Sequence, residues 1–296
     1  MQTKSAFVAI VGKPNVGKSS LLNRLVGEKV AIVSNKPQTT RTRINGVLTK
    51  GETQYVFIDT PGLHKAKTKL SEYMVKQVAD SVADVDVAVL VVEPKGEVTK
   101  AEQELIENFK TMRLPAILVI NKIDLLSQKE QLLERISAYS KLHNFEAVVP
   151  MSAMTGEGTE DLFQELEAFA CEGPHFFPDD AMTDQPERVI VGEIIREKLL
   201  NNMQEEIPHG TAVSVESMKE REDKPIIDIE AVIYCERDNH KGMIIGKNGQ
   251  MLKKIASQAR EEIEAFLDIK VNLQCWVKVR EDWRNKETII RYLGFN

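Results

Sequence analysis

The chain has 296 residues, a net charge of −6, 42% hydrophobic and 28% charged side chains, and three cysteines. That length predicts two domains, since single cores stop growing near this size, and the apolar and charged fractions exclude wholesale disorder. Cys171, Cys235 and Cys275 are scattered and odd in number, which argues against a disulfide framework or zinc site and for a reducing cytosol. No segment approaches the roughly 18 apolar residues of a membrane span.

The first apolar run, Phe7–Val11, is too short for a signal-peptide core and reads as a strand. Similar short Val/Ile/Leu runs follow at Tyr55–Ile58, Val85–Val92, Ala116–Ile120 and Ala147–Val149. Such runs suit strands buried on both faces of a parallel sheet. Between them lie stretches of helical period at Ser19–Val26, Leu70–Ala83, Lys100–Met112, Lys129–Leu142 and Thr159–Ala170. The alternation predicts a doubly wound, mostly parallel α/β sheet with ligands at the carboxyl ends of its strands.

From Cys171 to Glu187 three prolines, a glycine and acidic residues break this pattern, and the stretch reads as an interdomain linker. The expected divisions are residues 3–172, a linker at 173–187, and a second domain at 188–296 with its core at about 201–280. That second domain opens with a helix near Arg188–Glu206 and continues with strands Ala212–Ser217 and Ile226–Tyr234. A glycine-bearing turn, a helix near Gln250–Phe266 and a strand Val271–Val279 complete a small α+β unit. The charge is uneven. From Lys241 onward eleven Lys or Arg face seven Asp or Glu, a net +4, which leaves −10 for the rest. A basic end on an acidic chain fits contact with a polyanion, and fits a solvated face equally.

Gly12-Lys13-Pro14-Asn15-Val16-Gly17-Lys18-Ser19 follows the first strand and opens the first helix. This is the G-x-x-x-x-G-K-[ST] phosphate loop. Its backbone N–H groups and the helix N-terminus make an anion site, Lys18 reaches the β- and γ-phosphates, and Ser19 is expected to ligate Mg²⁺. Asp59-Thr60-Pro61-Gly62 ends the second apolar strand, where Asp59 reaches Mg²⁺ through a water and the Gly62 N–H senses the γ-phosphate. Asn121-Lys122-Ile123-Asp124 closes the strand Ala116–Ile120. A carboxylate there accepts two hydrogen bonds from the N1–H and 2-amino group of guanine, donors that adenine lacks. Met151-Ser152-Ala153 is expected to turn backbone N–H groups toward guanine O6. Four stations in this order select GTP.

The polar run Pro37-Gln38-Thr39-Thr40-Arg41 is expected to order around the metal and γ-phosphate, with Thr40, or less favourably Thr39, as hydroxyl ligand. Lys18, Thr40 and Gly62 are thus the expected catalytic residues, and Ser19, Thr40 and Asp59 the metal site. Leu63 lies beside the phosphates where Ras-type enzymes place the water-orienting glutamine, so intrinsic hydrolysis is expected to be slow. Asn15 has two readings, a K⁺ ligand or a plain turn residue, and His64 reads as a base or as a solvated loop residue.

Gly246-Lys247-Asn248-Gly249 follows the apolar stretch Met243–Ile245 and precedes a helix, with Lys241, Lys253 and Lys254 nearby. Two glycines allow close approach to a sugar-phosphate backbone, and Lys247 adds positive potential. This IIGxxG pattern is that of KH RNA-binding domains. Trp276 and Trp283 read as base-stacking platforms or as core. Arg280, Arg284 and Arg291 read as phosphate contacts or a solvated face.

The phosphate loop with its Pro-Asn-Val core, Gln38–Arg41, Asp59–Gly62, Asn121–Asp124, Ser152-Ala153 and the Gly246–Gly249 loop together resemble the Era family of bacterial GTPases over almost the whole chain. The resemblance implies a type II KH fold, binding near the 3′ end of small-subunit ribosomal RNA, and a role in 30S subunit assembly. It also implies loose association with the inner face of the cell membrane, and the chain is expected to be a cytoplasmic monomer. Competing readings are a GTP-dependent RNA-modifying enzyme, for which no folate, flavin or methyl-donor site is recognisable, and a binding module whose hydrolysis is incidental.

Overall fold

The structure is a computed structural model that describes residues 2–36, 38–63, 68–126, 130–204 and 207–295. Two compact units result, one of Met1–Ala31, Thr40–Ala66 and Met74–Asp184, the other of Ile32–Thr39, Lys67–Tyr73 and Gln185–Asn296.

In the first unit, strands β1 (Lys4–Gly12), β2 (Ile44–Lys50), β3 (Thr53–Asp59), β4 (Val87–Val92), β5 (Ala116–Ile120) and β6 (Ala147–Pro150) lie in the order β2-β3-β1-β4-β5-β6. All neighbours are parallel except β2, which pairs antiparallel with β3. Alternate residues of β1 feed two cores. Ala6, Val8 and Ile10 join α1 (Lys18–Val26) and α5 (Thr159–Glu167) on one side. Ala9 and Val11 join residues of α2 (Lys69–Ser81), α3 (Lys100–Met112) and α4 (Glu130–Ser140) on the other. A strand covered on both faces must be apolar at every position, which is why the continuous runs were legible as strands.

The unexpected strand is β2. Its sequence, Ile44-Asn45-Gly46-Val47-Leu48-Thr49-Lys50, mixes polar and apolar residues because it is an edge. Residues 51–52 alone join it to β3, and Gly51, at φ 65°, supplies the turn. Residues 173–184 also run along this side of the first unit. A two-residue strand, β7 (Cys171–Glu172), pairs antiparallel with β1 at Lys4 and Ser5. The N–H groups of Phe176 and Phe177 then donate to Gln54 Oε1, and Val47 N–H donates to the Met182 carbonyl at 2.8 Å. The stretch read as a linker is therefore hydrogen-bonded into the first unit as far as Asp184.

The second unit holds α6 (Glu187–Asn202), β8 (Ala212–Glu220), β9 (Ile226–Cys235), α7 (Asp238–Ile245), α8 (Gln250–Leu267), β10 (Lys270–Val279) and α9 (Glu287–Tyr292). Its sheet runs β10-β9-β8, with β10 parallel and β8 antiparallel to β9. Ile255, Ala259 and Ile263 of α8 pack with Ile194, Ile195 and Leu199 of α6 against one face of that sheet. The α6 helix is buried on nearly all sides. Two of its charged positions, Arg196 and Glu197, meet the chain segment 32–39, where Val33 N–H donates to Glu197 Oε1 at 2.8 Å and Arg196 donates to the Thr39 carbonyl. Helices α7 and α9 are further additions to the expected elements.

Candidate nucleotide site and glycine loop

The phosphate loop is built from the carboxyl end of β1 and the first turn of α1. At Gly17, φ 97°, a Cβ would stand 2.3 Å from Asn121 Nδ2, so glycine is needed for Asn121 to reach the loop. Asn121 then ties two stations together: its Nδ2 donates to the Val16 carbonyl, and its Oδ1 accepts from Ala153 N–H, each at 2.9 Å.

Lys18 is buried, and its ammonium donates to the carbonyls of Gly12 (3.1 Å) and Lys13 (2.8 Å). Burial lowers its pKa to about 8, although the nearby Asp59 charge opposes the shift. A bound polyphosphate would favour the charged amine and raise that pKa again. Binding is thus fully supported below about pH 8 and weakens as pH rises through the free-site value, toward the higher pKa of the complex. Titration calorimetry in buffers of different ionisation enthalpy should record uptake of close to one proton at about pH 9 and almost none near pH 6.

Asp59, at the end of β3, is fully buried. Its Oδ2 accepts from Ser19 Oγ at 2.7 Å and from Thr40 Oγ1 at 3.2 Å, and the two hydroxyls lie 2.9 Å apart. Burial pushes the carboxyl above its ordinary range, while Lys18 and the two hydroxyls pull it down. Asp59 Oδ1 is buried with no hydrogen-bond partner among the described residues. Three converging oxygen donors and an unsatisfied carboxylate oxygen fit a hard divalent cation such as Mg²⁺. Of the two threonines considered, Thr40 is brought to the site, whereas the Thr39 hydroxyl donates to the Lys36 carbonyl at 2.6 Å. Thr60 Oγ1 anchors the following turn on the Ile10 carbonyl, and Leu63 N–H donates to the Gly12 carbonyl at 3.1 Å. Pro37 and His64 lie outside the described residues.

On the base side, Ser152 Oγ donates to Asp124 Oδ1 at 2.6 Å, orienting the carboxylate. The Lys122 ammonium bridges the Asn15 carbonyl and Glu93 Oε1 at 2.5 and 2.6 Å. The N–H groups of Met151, Ser152 and Ala153 donate to Ile120 O, Glu157 O and Asn121 Oδ1. Here Ser152 faces the base pocket through its hydroxyl.

In the second unit the glycine loop lies between α7 and α8. Gly246 (φ 72°), Asn248 (φ 52°) and Gly249 (φ 75°) all adopt positive φ. The two glycines are required for different reasons. A Cβ on Gly246 would meet Met251 Cβ at 2.7 Å, whereas a Cβ on Gly249 would meet nothing within 4 Å. Gly246 serves packing, and Gly249 leaves open space at the N-terminus of α8 beside the exposed Lys247 and Asn248.

With both sites laid out, comparison with known proteins is decisive. Residues 7–122 match the family described as 50S ribosome-binding GTPase, and residues 206–284 match the KH domain family. The GTPase Era of Clostridioides difficile (strain 630) is 51% identical over 293 residues, covering 99% of each chain. That of Caldanaerobacter subterraneus subsp. tengcongensis is 50% identical, covering 100% of this chain and 99% of the relative. The chain belongs to the GTPase Era family. Among solved structures, a crystal structure of Era in complex with MgGDPNP and nucleotides 1506–1542 of 16S ribosomal RNA matches at TM-score 0.95 and 38% identity, covering 99% of both chains. Aquifex aeolicus Era bound to GDP·AlF4⁻ matches equally well, at TM-score 0.95.

Era membership makes the chain a GTPase and accounts for every motif, yet two supporting residues were not legible as such. Arg24 of α1 donates from Nε to the Ala153 carbonyl (2.9 Å) and from Nη2 to that of Met154 (2.6 Å), pinning the base-side loop. Glu102, fully buried, forms a capping box with Thr99, accepts from the Tyr139 hydroxyl at 3.0 Å, and lies 3.5 Å from the phosphate-loop Lys13 ammonium. The Thr99-x-x-Glu102 spacing signals the cap; nothing local signals the contact with Lys13.

Proposed function

We propose that this chain is a GTP-hydrolysing switch that binds small-subunit ribosomal RNA near its 3′ end and acts in 30S subunit assembly and rRNA maturation. The observation that carries the switch is the convergence of Ser19 Oγ and Thr40 Oγ1 on Asp59 Oδ2, beside the buried Lys18. Ser19, Thr40 and Asp59 would hold Mg²⁺, which when bound neutralises phosphate charge. Lys18 and the backbone of residues 12–19 would cradle the phosphates, and the Gly62 N–H would sense the γ-phosphate. Leu63 is apolar and packs toward the core, so it offers attacking water no hydrogen bond, and the unaided rate is slow.

Thr40 also supports a route for the switch. Its hydroxyl joins the metal site, while the carbonyl of the preceding residue, Thr39, accepts from Arg196 of α6. One peptide bond therefore links a nucleotide-sensitive hydroxyl to the RNA-binding unit's first helix. The reading includes GTPase residues 3–172, a connecting stretch 173–187 and a type II KH domain at 188–296, in a cytoplasmic monomer with peripheral membrane contact. No helix among the described residues is long and apolar enough to cross a membrane.

Asn15, exposed at φ 65° in the phosphate loop, supports use of K⁺ near the phosphates. Replacing Na⁺ by K⁺ at equal ionic strength should then raise GTP hydrolysis; equal rates would make Asn15 a turn residue only.

RNA binding is tested at the glycine loop. Replacing both Lys247 and Asn248 by Asp puts two carboxylates where phosphates approach and leaves the glycines to form the turn. RNA affinity should fall at least about tenfold, roughly 1.4 kcal/mol, with GTP affinity and melting temperature unchanged. Undiminished RNA binding by the folded double variant would sink the reading.

A further inference from the structure

The two tryptophans of the chain have opposite surroundings. Trp283 is fully buried, donates from Nε1 to the Gly210 carbonyl at 2.9 Å, and stacks on Phe295. It is core. Trp276 is 44% exposed in the middle of β10. The strand's odd positions, Val271, Leu273, Cys275, Val277 and Val279, pack into the core shared with α6, α7 and α8. By the period-2 alternation of a strand, Trp276 and Lys278 lie on the opposite face, away from those helices.

The backbone register continues past the strand end, where Arg280 N–H donates to the Cys235 carbonyl at 2.8 Å. Arg280 therefore follows Trp276 and Lys278 on the same face. Successive members of this row are separated by about 6.6–6.8 Å. Lys278 and Arg280 are exposed and make no side-chain ion pair among the described residues. Two carboxylates of this face lie toward the other end of the strand, and a third, Glu216 of β8, lies near Tyr234, which is in register with Lys278, and accepts from the Tyr292 hydroxyl at 3.4 Å. Asp228, in register with Asn272, is already bound by Arg221 and Asn272, and Glu230 is in register with Gln274.

We infer that Trp276, Lys278 and Arg280 form a second contact for single-stranded RNA, on the sheet face opposite the glycine-loop helices. The inference rests on the RNA-binding reading above. An exposed indole beside two cations suits an extended strand of nucleotides, because every base has a face that stacks and every linkage carries a charge to neutralise. A helical duplex would bury its bases from the indole, and an acidic peptide would satisfy the cations but leave the ring without a stacking partner.

The distribution of the two tryptophans makes the test direct. Trp283 is shielded, so quenching of emission by added RNA reports Trp276. Full-length protein is titrated with a short labelled oligo(A) RNA, following anisotropy for binding and tryptophan emission for stacking. Heparin and poly-glutamate serve as polyanions without bases. Quenching by RNA but by neither polyanion is expected, both in the wild type and in the Lys247→Asp/Asn248→Asp double variant. Trp276→Ala should abolish the quench and weaken RNA binding about five- to tenfold, as should Lys278→Glu with Arg280→Glu, with GTP hydrolysis and melting temperature unchanged. RNA that binds without quenching, or a quench lost in the glycine-loop double variant, overturns a separate site. A quench by poly-glutamate equal to that by RNA overturns it in favour of a protein partner. If the wild type binds no RNA by anisotropy, the RNA-binding function itself fails, a distinct result.

Discussion

Replacing Lys18 by alanine is expected to weaken GTP and GDP binding by about two to three orders of magnitude, since removing one partner of a buried charge pair costs about 3–5 kcal/mol. The ammonium is held by the Gly12 and Lys13 carbonyls at the mouth of the phosphate loop. It is therefore positioned before any phosphate arrives. The loss should appear as faster release of nucleotide, measured by displacement of a fluorescent GDP analogue. RNA affinity measured without nucleotide should not change, because the glycine loop belongs to the other unit. Lys18→Arg should rescue little, since a planar guanidinium does not reproduce a compact point charge in a buried site. Near-normal nucleotide affinity in a folded Lys18→Ala protein would remove this residue from the site.

The second large effect is a change of base. Asp124→Asn should reduce GTP affinity about a hundredfold or more and raise affinity for xanthosine triphosphate, because each charge-assisted hydrogen bond is worth about 1.5–3 kcal/mol. Ser152 gives this prediction its direction. Its hydroxyl donates to Asp124 Oδ1 at 2.6 Å, and in the variant it would hold the amide oxygen and turn the NH₂ toward the base. That donor opposes the guanine 2-amino group and meets the xanthine carbonyl. Competition of the two triphosphates against a labelled nucleotide gives the ratio directly. Removing Ser152 as well should blur the preference, since the amide could then flip. An unchanged GTP preference would mean that Asp124 does not read the base.

Much of the site was legible before the fold because its chemistry is local. A loop that wraps phosphate must carry glycines and a lysine at set spacing, and a carboxylate that reads guanine must close a strand. Gly12–Ser19, Asp59–Gly62 and Asn121–Asp124 could be ordered from sequence alone. The doubly covered strands were equally legible, being apolar at every position. The same reasoning missed β2, whose edge position permits a mixed sequence, and α7, which is too short for a helical period to emerge.

What the tertiary structure decided are relations between residues far apart in the chain. Arg24 meets the Ala153 carbonyl across 129 positions, and Arg196 meets Thr39 across 157. No local pattern encodes either pairing. The choice of Thr40 over Thr39 is of the same kind: adjacent and identical as residues, they differ only in which hydroxyl the packed chain turns toward Asp59. Trp276 and Trp283 make the point most simply. Sequence allowed both to be core or stacking surface, and burial separates them, because which neighbours fill the space around a ring depends on strands and helices that only the folded chain assembles.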